Sequence, residues 1–202
     1  NDDNLIDVEE KLFISKLKKL LTNHDLVIVS DYGHGLISEK SSQIICKNSK
    51  YVALNAQVNA SNIGYHTIQK YKNIDCVIIN ETELRHELRD KNEKIDILAK
   101  KLAHMININN LVVTRGSSGA ILYNTSRKKY FSCPAFASKI VDKVGAGDSM
   151  LSIMSILLKL KFKSEIALFL GSLAAAQSVE EMSNKVPVNK IKLLKYFNHI
   201  LK

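Results

Sequence analysis

The sequence contains no tryptophan, only two prolines and only three cysteines among its 202 residues. Cys46, Cys76 and Cys133 are odd in number and far apart, and none belongs to a CxxC motif or lies at zinc-ligand spacing from a histidine. This pattern favours buried thiols in a reduced, cytoplasmic protein over a disulfide framework or a zinc site. No apolar run reaches the roughly 18 residues of a membrane span, so we expect no membrane association.

An initiator methionine and an apolar leader are also missing. The first residues, NDDNLIDVEEKL, are acidic and polar, unlike a signal peptide. We therefore expect the sequence to be an interior piece of a longer protein.

Arginine is scarce, since it supplies only four of the 29 basic residues, and the net charge of +9 is carried mainly by lysine. A surplus of this size raises the question of nucleic-acid binding. However, the lysines are scattered along the chain, and no compact stretch interleaves them with aromatic residues. We expect no nucleic-acid partner, and a nucleic-acid-binding α/β domain remains a minor hypothesis that rests on charge alone.

Short runs rich in β-branched residues alternate with segments of helical apolar spacing. Such alternation is typical of βαβ units around a buried parallel sheet. Two further runs joined by a polar turn predict an antiparallel pair. The predicted strands are 25–30, 51–55, 76–80, 111–114, 116–124 and 128–133, and the predicted helices are 8–22, 37–48, 81–89, 93–106, 148–160, 164–180 and 189–201. The pattern indicates one α/β domain over 1–202, with a doubly wound, mostly parallel sheet flanked by helices.

Polar or glycine-rich groups follow each of the four predicted parallel strands. Ligands of doubly wound sheets bind beyond the carboxyl ends of the strands, and these ends share one edge. An ordinary turn or helix cap explains any one group equally well, but four groups at a single edge favour a ligand site. The groups are Asp31–Gly35, Asn55–Asn59, Asn80–Glu83 and Thr114–Gly119.

The segment 142–148, DKVGAGD, carries the sharpest chemical signal. Gly145 and Gly147 let the backbone approach a ligand, and the helix that follows directs its N–H groups and positive dipole end there, which predicts an anion hole. Asp148, in the first helical turn, is placed to act as a general base toward an alcohol. A helix cap alone would explain Asp148 but requires neither glycine. We expect Asp148 at the surface of a cleft, at the start of a largely buried helix.

Other phosphate-binding motifs are absent. The sequence has no GxxxxGK[ST] element, which excludes a P-loop. It also has no GxGxxG element, because Met150 stands where the third glycine would be, so a dinucleotide site is unsupported.

The stretch VDKVGAGDS resembles the signature of the ribokinase-like, or PfkB, carbohydrate kinases, in which a G-A-G-D turn carries the catalytic aspartate. Residues 80–83, NETE, match the family's N-x-x-E element, and residues 114–119, TRGSSG, match its T-x-G-x-x-G element. SDYGHG, at 30–35, is similar to the S-D-Y-x-K-G stretch of bacterial heptose-7-phosphate kinases. The motifs occur in the family's order, so the set is more specific than any one of them.

This resemblance implies a ribokinase-like fold and a kinase that uses ATP and Mg²⁺ to phosphorylate a small-molecule sugar or sugar phosphate. It implies that Asp148 deprotonates the acceptor hydroxyl, while Gly145, Ala146 and Gly147 form the anion hole for the transferred phosphoryl group. It also implies three sets of binding residues: Asn80, Thr114, Gly116 and Gly119 for the nucleotide, Asn80 and Glu83 for Mg²⁺, and Asp31 and Gly33 for the substrate.

Several features depart from the family pattern. Residues 55–57, NAQ, stand where heptose kinases have a D-P-K-like stretch, His34 where lysine is common, and Val144 where threonine is frequent. Family members are considerably longer, so 1–202 corresponds to the C-terminal part of the kinase domain. The N-terminal strands, and the β lid that often mediates homodimers, would be missing, which predicts an exposed sheet edge. A non-catalytic sugar- or nucleotide-binding module of the same fold remains the alternative.

Overall fold

The computed structural model describes residues 5–57, 66–180 and 187–200. Within them the chain forms a six-stranded sheet whose strands lie in sequence order. The first four strands are parallel and the last two continue the sheet as antiparallel strands, which confirms the predicted mixed sheet. The strands are β1 (Val27–Asp31), β2 (Val52–Ala56), β3 (Ile74–Asn80), β4 (Ile108–Thr114), β5 (Ala120–Asn124) and β6 (Lys129–Cys133).

Helices pack on both faces of this sheet, as a doubly wound fold requires. The helices are α1 (Asp7–Thr22), α2 (Glu39–Asn48), α3 (Glu81–Leu88), α4 (Ile95–Met105), α5 (Ala146–Lys159), α6 (Ser164–Val179) and α7 (Lys190–Ile200). The first four contribute to one hydrophobic core, and α5 and α6 contribute to a second. Strand side chains alternate between the two cores: Val77 and Ile79 face the first, whereas Cys76 and Ile78 face the second.

Two strands begin earlier than the apolar pattern predicts, β3 at 74 rather than 76 and β4 at 108 rather than 111. Asn73 and Asn107 precede these strands with φ of 59° and 56°, a conformation that asparagine tolerates better than most residues. The Asn107 side-chain amide also donates to Asn73 Oδ1 at 2.6 Å. Polar residues at the strand starts, including Asp75 and Asn110, interrupted the apolar signal.

Some predicted segments extend past the described residues. The group at 55–59 includes residues 58 and 59, and the last predicted helix includes residue 201, which lie outside them. Across the ranges that are described, no helix is long and apolar enough to cross a membrane.

Helix α5 is buried on one side only. Met150, Leu151 and Met154 are at most 1% exposed, whereas Ile156 on the opposite side is 47% exposed and Leu160, just past the helix end, is 60% exposed. The expectation of a largely buried helix is therefore wrong for its outer side. Residues 149–158 of this helix carry no charge, but only one of its faces packs on the sheet and α6, and the other faces solvent.

Strand β1 is an edge of the sheet in the described part of the chain, because its hydrogen-bonded neighbour there is β2 alone. Ile28, on this strand, is 42% exposed although it is apolar. The predicted exposed edge is therefore present among the described residues.

The turn between β4 and β5 provides a test of the packing. An alanine Cβ at Gly119 would lie 2.1 Å from the Cys133 backbone oxygen, and φ there is +79°. Gly116 also has positive φ, +57°, but a Cβ would meet no atom within 4 Å. We expect Gly119→Ala to lower the free energy of unfolding by about 3–5 kcal/mol, from overpacking and strain together. Gly116→Ala should cost only about 1–2 kcal/mol. Equal losses in urea titrations of the two variants would contradict this packing.

Candidate active site

The carboxyl ends of the parallel strands meet the N-terminus of α5. Gly145 is the N-cap of α5 with φ of 80°, a left-handed conformation that a residue with a side chain adopts only at a cost. The first helical hydrogen bond runs from Ser149 N–H to Gly145 O at 2.9 Å. The N–H groups of residues 146–148 therefore precede the intrahelical bonds, as the first N–H groups of any helix do. This geometry suits an anion.

Gly147 contributes to the turn in a different way. A Cβ at this position would lie 3.3 Å from Asn55 Nδ2, on β2. The missing side chain lets the helix N-terminus approach the end of β2 closely. The positive φ at Gly145 and the tight approach at Gly147 both favour glycine, and a simple helix cap would require neither feature.

The Asp148 carboxylate is half-buried and is turned toward the strands. Its Oδ1 accepts hydrogen bonds from Ser30 Oγ and Asn55 Nδ2, and its Oδ2 accepts one from the Tyr32 hydroxyl, each at 3.2 Å. Asp148 is the third residue of α5, and Gly145, not Asp148, occupies the cap. The alternative that Asp148 serves only as the helix cap is therefore contradicted.

All three donors to Asp148 are electrically neutral, and sequence reasoning missed them. Asn55 was placed among the polar strand ends and noted as a departure from an expected aspartate, but its contact with Asp148 was not predicted. Its amide donates to Asp148, where a second carboxylate would be repelled. Ser30 and Tyr32 belong to the SDYGHG stretch, whose resemblance was the available signal. Burial raises the pKa of the Tyr32 phenol, and the charge of Asp148 and the hydrogen bond to it raise it further.

A cavity of about 510 Å³ lies beside this turn, at the ends of β3 and β4. The predicted nucleotide residues Asn80, Thr114 and Gly116 line it, but Gly119 is not among its lining residues. Gly119 instead lies against the backbone of Cys133. Lys143 also lines the cavity, two residues before Gly145, so the cavity adjoins the helix N-terminus.

The charge of this cavity is predominantly positive. Its lining includes three cationic residues, Arg85, Arg115 and Lys143, and one acidic residue, Glu81. Glu81 lies between the arginines, with Oε1 2.8 Å from Arg85 Nη2 and Oε2 3.6 Å from Arg115 Nε. The surplus of cations suits a polyanionic ligand such as the phosphates of a nucleotide.

Asn80 and Glu83 form a reciprocal cap at the start of α3. Glu83 N–H donates to Asn80 Oδ1 at 2.8 Å, and Asn80 N–H donates to Glu83 Oε2 at 3.0 Å. No group of three or more acidic, histidine or cysteine side chains that could hold a metal occurs in the described part of the chain. Mg²⁺ is usually held by one or two carboxylates with water and substrate phosphates, so Asn80, Glu81 and Glu83 fit that coordination.

Asp31 lies in an enclosed ion cluster, and it is only 4% exposed. Its Oδ2 accepts from Lys70 Nζ and from the Tyr71 hydroxyl, both at 2.7 Å, and its Oδ1 accepts from Gly33 N–H at 3.0 Å. His66 Nε2 lies 3.9 Å from Asp31 Oδ2. This arrangement disfavours the predicted contact between Asp31 and sugar hydroxyls.

The protonation of the cluster follows from its surroundings. Burial raises the pKa of Asp31, but hydrogen bonds from Lys70, Tyr71 and Gly33 and the charge of Lys70 more than offset it, so the pKa lies below 3.8. Burial lowers the pKa of His66 more than the charge of Asp31 raises it. At neutral pH the cluster therefore holds an ionised Asp31 beside a neutral His66.

Comparisons with known proteins agree with this geometry. The profile of the pfkB family carbohydrate kinases matches residues 3–191. The bifunctional protein HldE of Campylobacter fetus subsp. fetus (strain 82-40) is 28% identical over 174 residues, which cover 85% of this chain and 37% of that protein. The bifunctional protein HldE of Desulfatibacillum aliphaticivorans is 27% identical over 155 residues, covering 75% of this chain and 31% of that protein.

Solved structures share the fold. Phosphofructokinase-2 from Escherichia coli in complex with potassium matches with a TM-score of 0.81 at 15% identity, over 98% of this chain and 64% of that one. Ribokinase from Thermotoga maritima matches with a TM-score of 0.72 at 19% identity, over 90% of this chain and 59% of that one. At these identities the likeness shows the fold alone.

The fold is ribokinase-like, and a glycine-built helix N-terminus with an adjacent carboxylate is a site of the kind that phosphoryl transfer requires. Together with the family profile, which covers most of the chain, these features define the class as carbohydrate kinase. The chain belongs to the pfkB family. It spans about a third of the length of the HldE relatives.

The enclosed ion cluster predicts a specific pH dependence of stability. The folded-state pKa of Asp31 lies below its ordinary value of 3.8, so its ionised form stabilises the fold above about pH 4, and this contribution is lost as pH falls through the lowered pKa. Asp31→Asn should cost about 3–5 kcal/mol at pH 7, because it leaves Lys70 unpaired. The difference from wild type should shrink below about pH 4 in urea titrations.

The matched control is Asp25→Asn, which removes an exposed carboxylate that pairs with Lys50 at 2.8 Å. That change should leave the free energy of unfolding nearly unaltered at neutral pH, because exposed pairs contribute little. A wild-type advantage over Asp31→Asn that stays constant from pH 7 to pH 3 would contradict the assignment.

Proposed function

We propose that this chain is the phosphoryl-transfer portion of an ATP-dependent sugar or sugar-phosphate kinase, with heptose 7-phosphate as the leading acceptor. The observation that carries the proposal is the Asp148 carboxylate, which neutral donors hold beside a helix N-terminus built with two glycines. A pure binding module would need the N–H groups but not the base.

Asp148 is the group that accepts the proton from the sugar hydroxyl. Its carboxylate already accepts hydrogen bonds from two hydroxyls, those of Ser30 and Tyr32, both at 3.2 Å. These distances are longer than the usual ~2.7–2.8 Å of O–H···O bonds, so an acceptor alcohol can displace the Ser30 hydroxyl while Tyr32 keeps its contact with Oδ2. As the proton moves to Asp148, the alcohol oxygen forms a bond to the γ-phosphorus and the bond to the ADP oxygen breaks.

The helix N-terminus stabilises the charge on the transferred group. The N–H groups of residues 146–148 and the positive end of the α5 dipole face the place where the equatorial phosphoryl oxygens would lie. Arg115 and Lys143, in the adjoining cavity, add positive charge along the phosphates. The protein thus supplies position and electrostatics, which is what phosphoryl transfer requires of it.

Mg²⁺ supplies charge neutralisation to the nucleotide phosphates when it is bound. Asn80, Glu81 and Glu83 are the residues that would hold it, largely through water. Asn80 and Glu81 line the cavity, and Glu83 is joined to Asn80 by the reciprocal cap. The cap fixes the orientation of both side chains before any ligand arrives.

The acceptor assignment rests on the SDYGHG segment, which is similar to that of bacterial heptose-7-phosphate kinases. Gly33 in this segment lies next to Tyr32, whose hydroxyl contacts Asp148, so the segment borders the base. We place the reaction in the cytoplasm, since Cys46, Cys76 and Cys133 are all free thiols.

The role of Asp148 is tested by Asp148→Asn in the complete polypeptide that carries this sequence. The change keeps the shape and removes the basicity, so kcat for phosphorylation of heptose 7-phosphate should fall about 10²–10⁴-fold. Melting temperature and ADP affinity should change little, because the N–H groups remain. Asp25→Asn, at the opposite end of β1, is the control and should keep full activity. A fully active Asp148→Asn enzyme would overturn the assignment of Asp148 as the base, whereas wild-type protein that binds ADP but phosphorylates no sugar would favour the binding-module alternative.

The position of the nucleotide is tested by Gly116→Val. A Cβ at Gly116 meets no protein atom within 4 Å, so the added side chain would project into open space at the cavity wall. Calorimetry should show at least about tenfold weaker binding of ADP with Mg²⁺, which is the loss of ~1.4 kcal/mol. Asp25→Asn is the control, because Asp25 is exposed and pairs with Lys50 away from the cavity lining, so the affinity for ADP should not change. Unchanged affinity in Gly116→Val would refute this placement of the nucleotide.

A further inference from the structure

The proposed chemistry does not use the buried ion pair between Asp31 and Lys70, yet this pair is bonded to the segment beside the base. Asp31 Oδ1 accepts from Gly33 N–H at 3.0 Å. Lys70 Nζ lies 2.7 Å from Asp31 Oδ2 and also donates to Ile37 O at 2.7 Å. One ion pair therefore holds both the beginning and the end of the segment 33–37.

The course of this segment is set by side-chain and backbone contacts rather than by regular secondary structure. It joins β1 to α2 without regular secondary structure, and it contains Gly33 and Gly35 with φ of 72° and 83°. Glycines at positive φ allow many alternative paths, so the path must be selected by contacts. The bonds from Asp31 and Lys70 are contacts of this kind, and both are shielded from water.

Tyr32 lies between Asp31 and this segment, and it is the residue that reaches the base. Its hydroxyl donates to Asp148 Oδ2 at 3.2 Å, while its side chain is 42% exposed. The His34 ring stacks on Tyr32 with 6.4 Å between centroids. A residue this exposed is held in place by its backbone more than by burial. Asp31 precedes Tyr32 in the chain, and its carboxylate accepts a hydrogen bond from Gly33 N–H on the other side of Tyr32.

We propose that the Asp31–Lys70 ion pair is a positioning device, which fixes the 33–37 segment and thereby holds Tyr32 against the Asp148 carboxylate. The inference rests on the proposed function, since it assigns the pair a part in orienting the catalytic base. Asp31 and Lys70 touch neither Asp148 nor the cavity lining, so they act through Tyr32 as positioning residues.

Stability alone does not account for a charged pair in this place. Burying two charges costs desolvation, and well-packed apolar residues are often equally stabilising. An apolar pair, however, could not bond the Gly33 N–H and the Ile37 carbonyl. The ion pair therefore supplies one acceptor and one donor to the backbone, which an apolar pair could not supply.

The decisive measurement is the titration of the Tyr32 phenol, which requires no enzymatic activity. Burial, the charge of Asp148 and the hydrogen bond to Asp148 raise the pKa of Tyr32 above its ordinary value of 10.0. In protein labelled with ¹³Cζ-tyrosine, the Tyr32 resonance is assigned from Tyr32→Phe, and Asp148→Asn shows how far the phenol pKa falls when the carboxylate is removed. Lys70→Met should lower the phenol pKa by a similar amount, because Tyr32 then leaves Asp148.

Two further variants keep the test conclusive. Lys70→Met leaves a buried carboxylate unpaired, so a double variant, Asp31→Leu with Lys70→Met, removes both charges and the acceptor for Gly33 N–H, and it should fold even where the single one does not. Tyr71→Phe is the matched control. It removes a buried hydrogen bond to the same carboxylate, yet leaves the bonds to Gly33 and Ile37, and it should keep the raised phenol pKa.

Steady-state kinetics then tests whether the Asp31–Lys70 pair affects turnover through Tyr32. Tyr32→Phe should lower kcat/KM about tenfold, Asp31→Leu with Lys70→Met by a similar factor, and all three changes together no further, because they act through one contact. A folded double variant with an unshifted Tyr32 pKa would overturn the proposal. A chain that shows the expected titrations but phosphorylates no sugar would refute the proposed function and leave the positioning device standing.

Discussion

The close approach of α5 to the sheet and to α6 is the constraint on which the rest of the site depends. Gly171 on α6 makes this approach possible, since a Cβ there would lie 2.5 Å from Met154 Cγ. With Met150 and Met154 packed in this way, the first turn of α5 comes to the carboxyl ends of β1 and β2. A Cβ at Gly147 would lie 3.3 Å from Asn55 Nδ2, so the glycine spares Asn55 a tight contact. The anion-binding turn is therefore a result of helix packing as much as of its own glycines.

Three of the carboxylates around the site, those of Asp148, Glu81 and Asp31, are held in three different ways. Among the described residues, Asp148 accepts hydrogen bonds from the neutral side chains of Ser30, Tyr32 and Asn55, none of which is a cation that would compete with a substrate. Glu81 lies between two arginines, which orients them around a cavity with a positive surplus. Asp31 is buried against Lys70 and bonded to backbone, which makes it part of the framework. All three carboxylates lie near the strand ends, but their hydrogen-bond and ion-pair partners give them different roles.

Most of the architecture could be predicted from the residues. Hydrophobic periodicity and residue composition predicted the order of strands and helices, and the glycine turn before Asp148 predicted the anion site. The starts of β3 and β4 were missed because Asp75 and Asn110 interrupt the apolar runs, and the outer face of α5 was misjudged because Ile156 is apolar yet exposed. The exposure of an apolar residue depends on what packs against it, and local sequence does not contain that information.

The sequence by itself determined the parallel sheet, the family and the position of Asp148, because these depend on periodicity and on short motifs that are contiguous in the chain. Only the tertiary structure decided the partners of the carboxylates. Tyr32 and Asp148 are 116 positions apart, and Asn55 and Asp148 are 93 apart. Asp31 was predicted to bind the substrate, and the structure adds partners for its carboxylate some 40 positions later in the chain, Lys70 and Tyr71. Hydrogen bonds and ion pairs act over a few ångströms in space, so their pairing is settled only when the fold brings distant segments together.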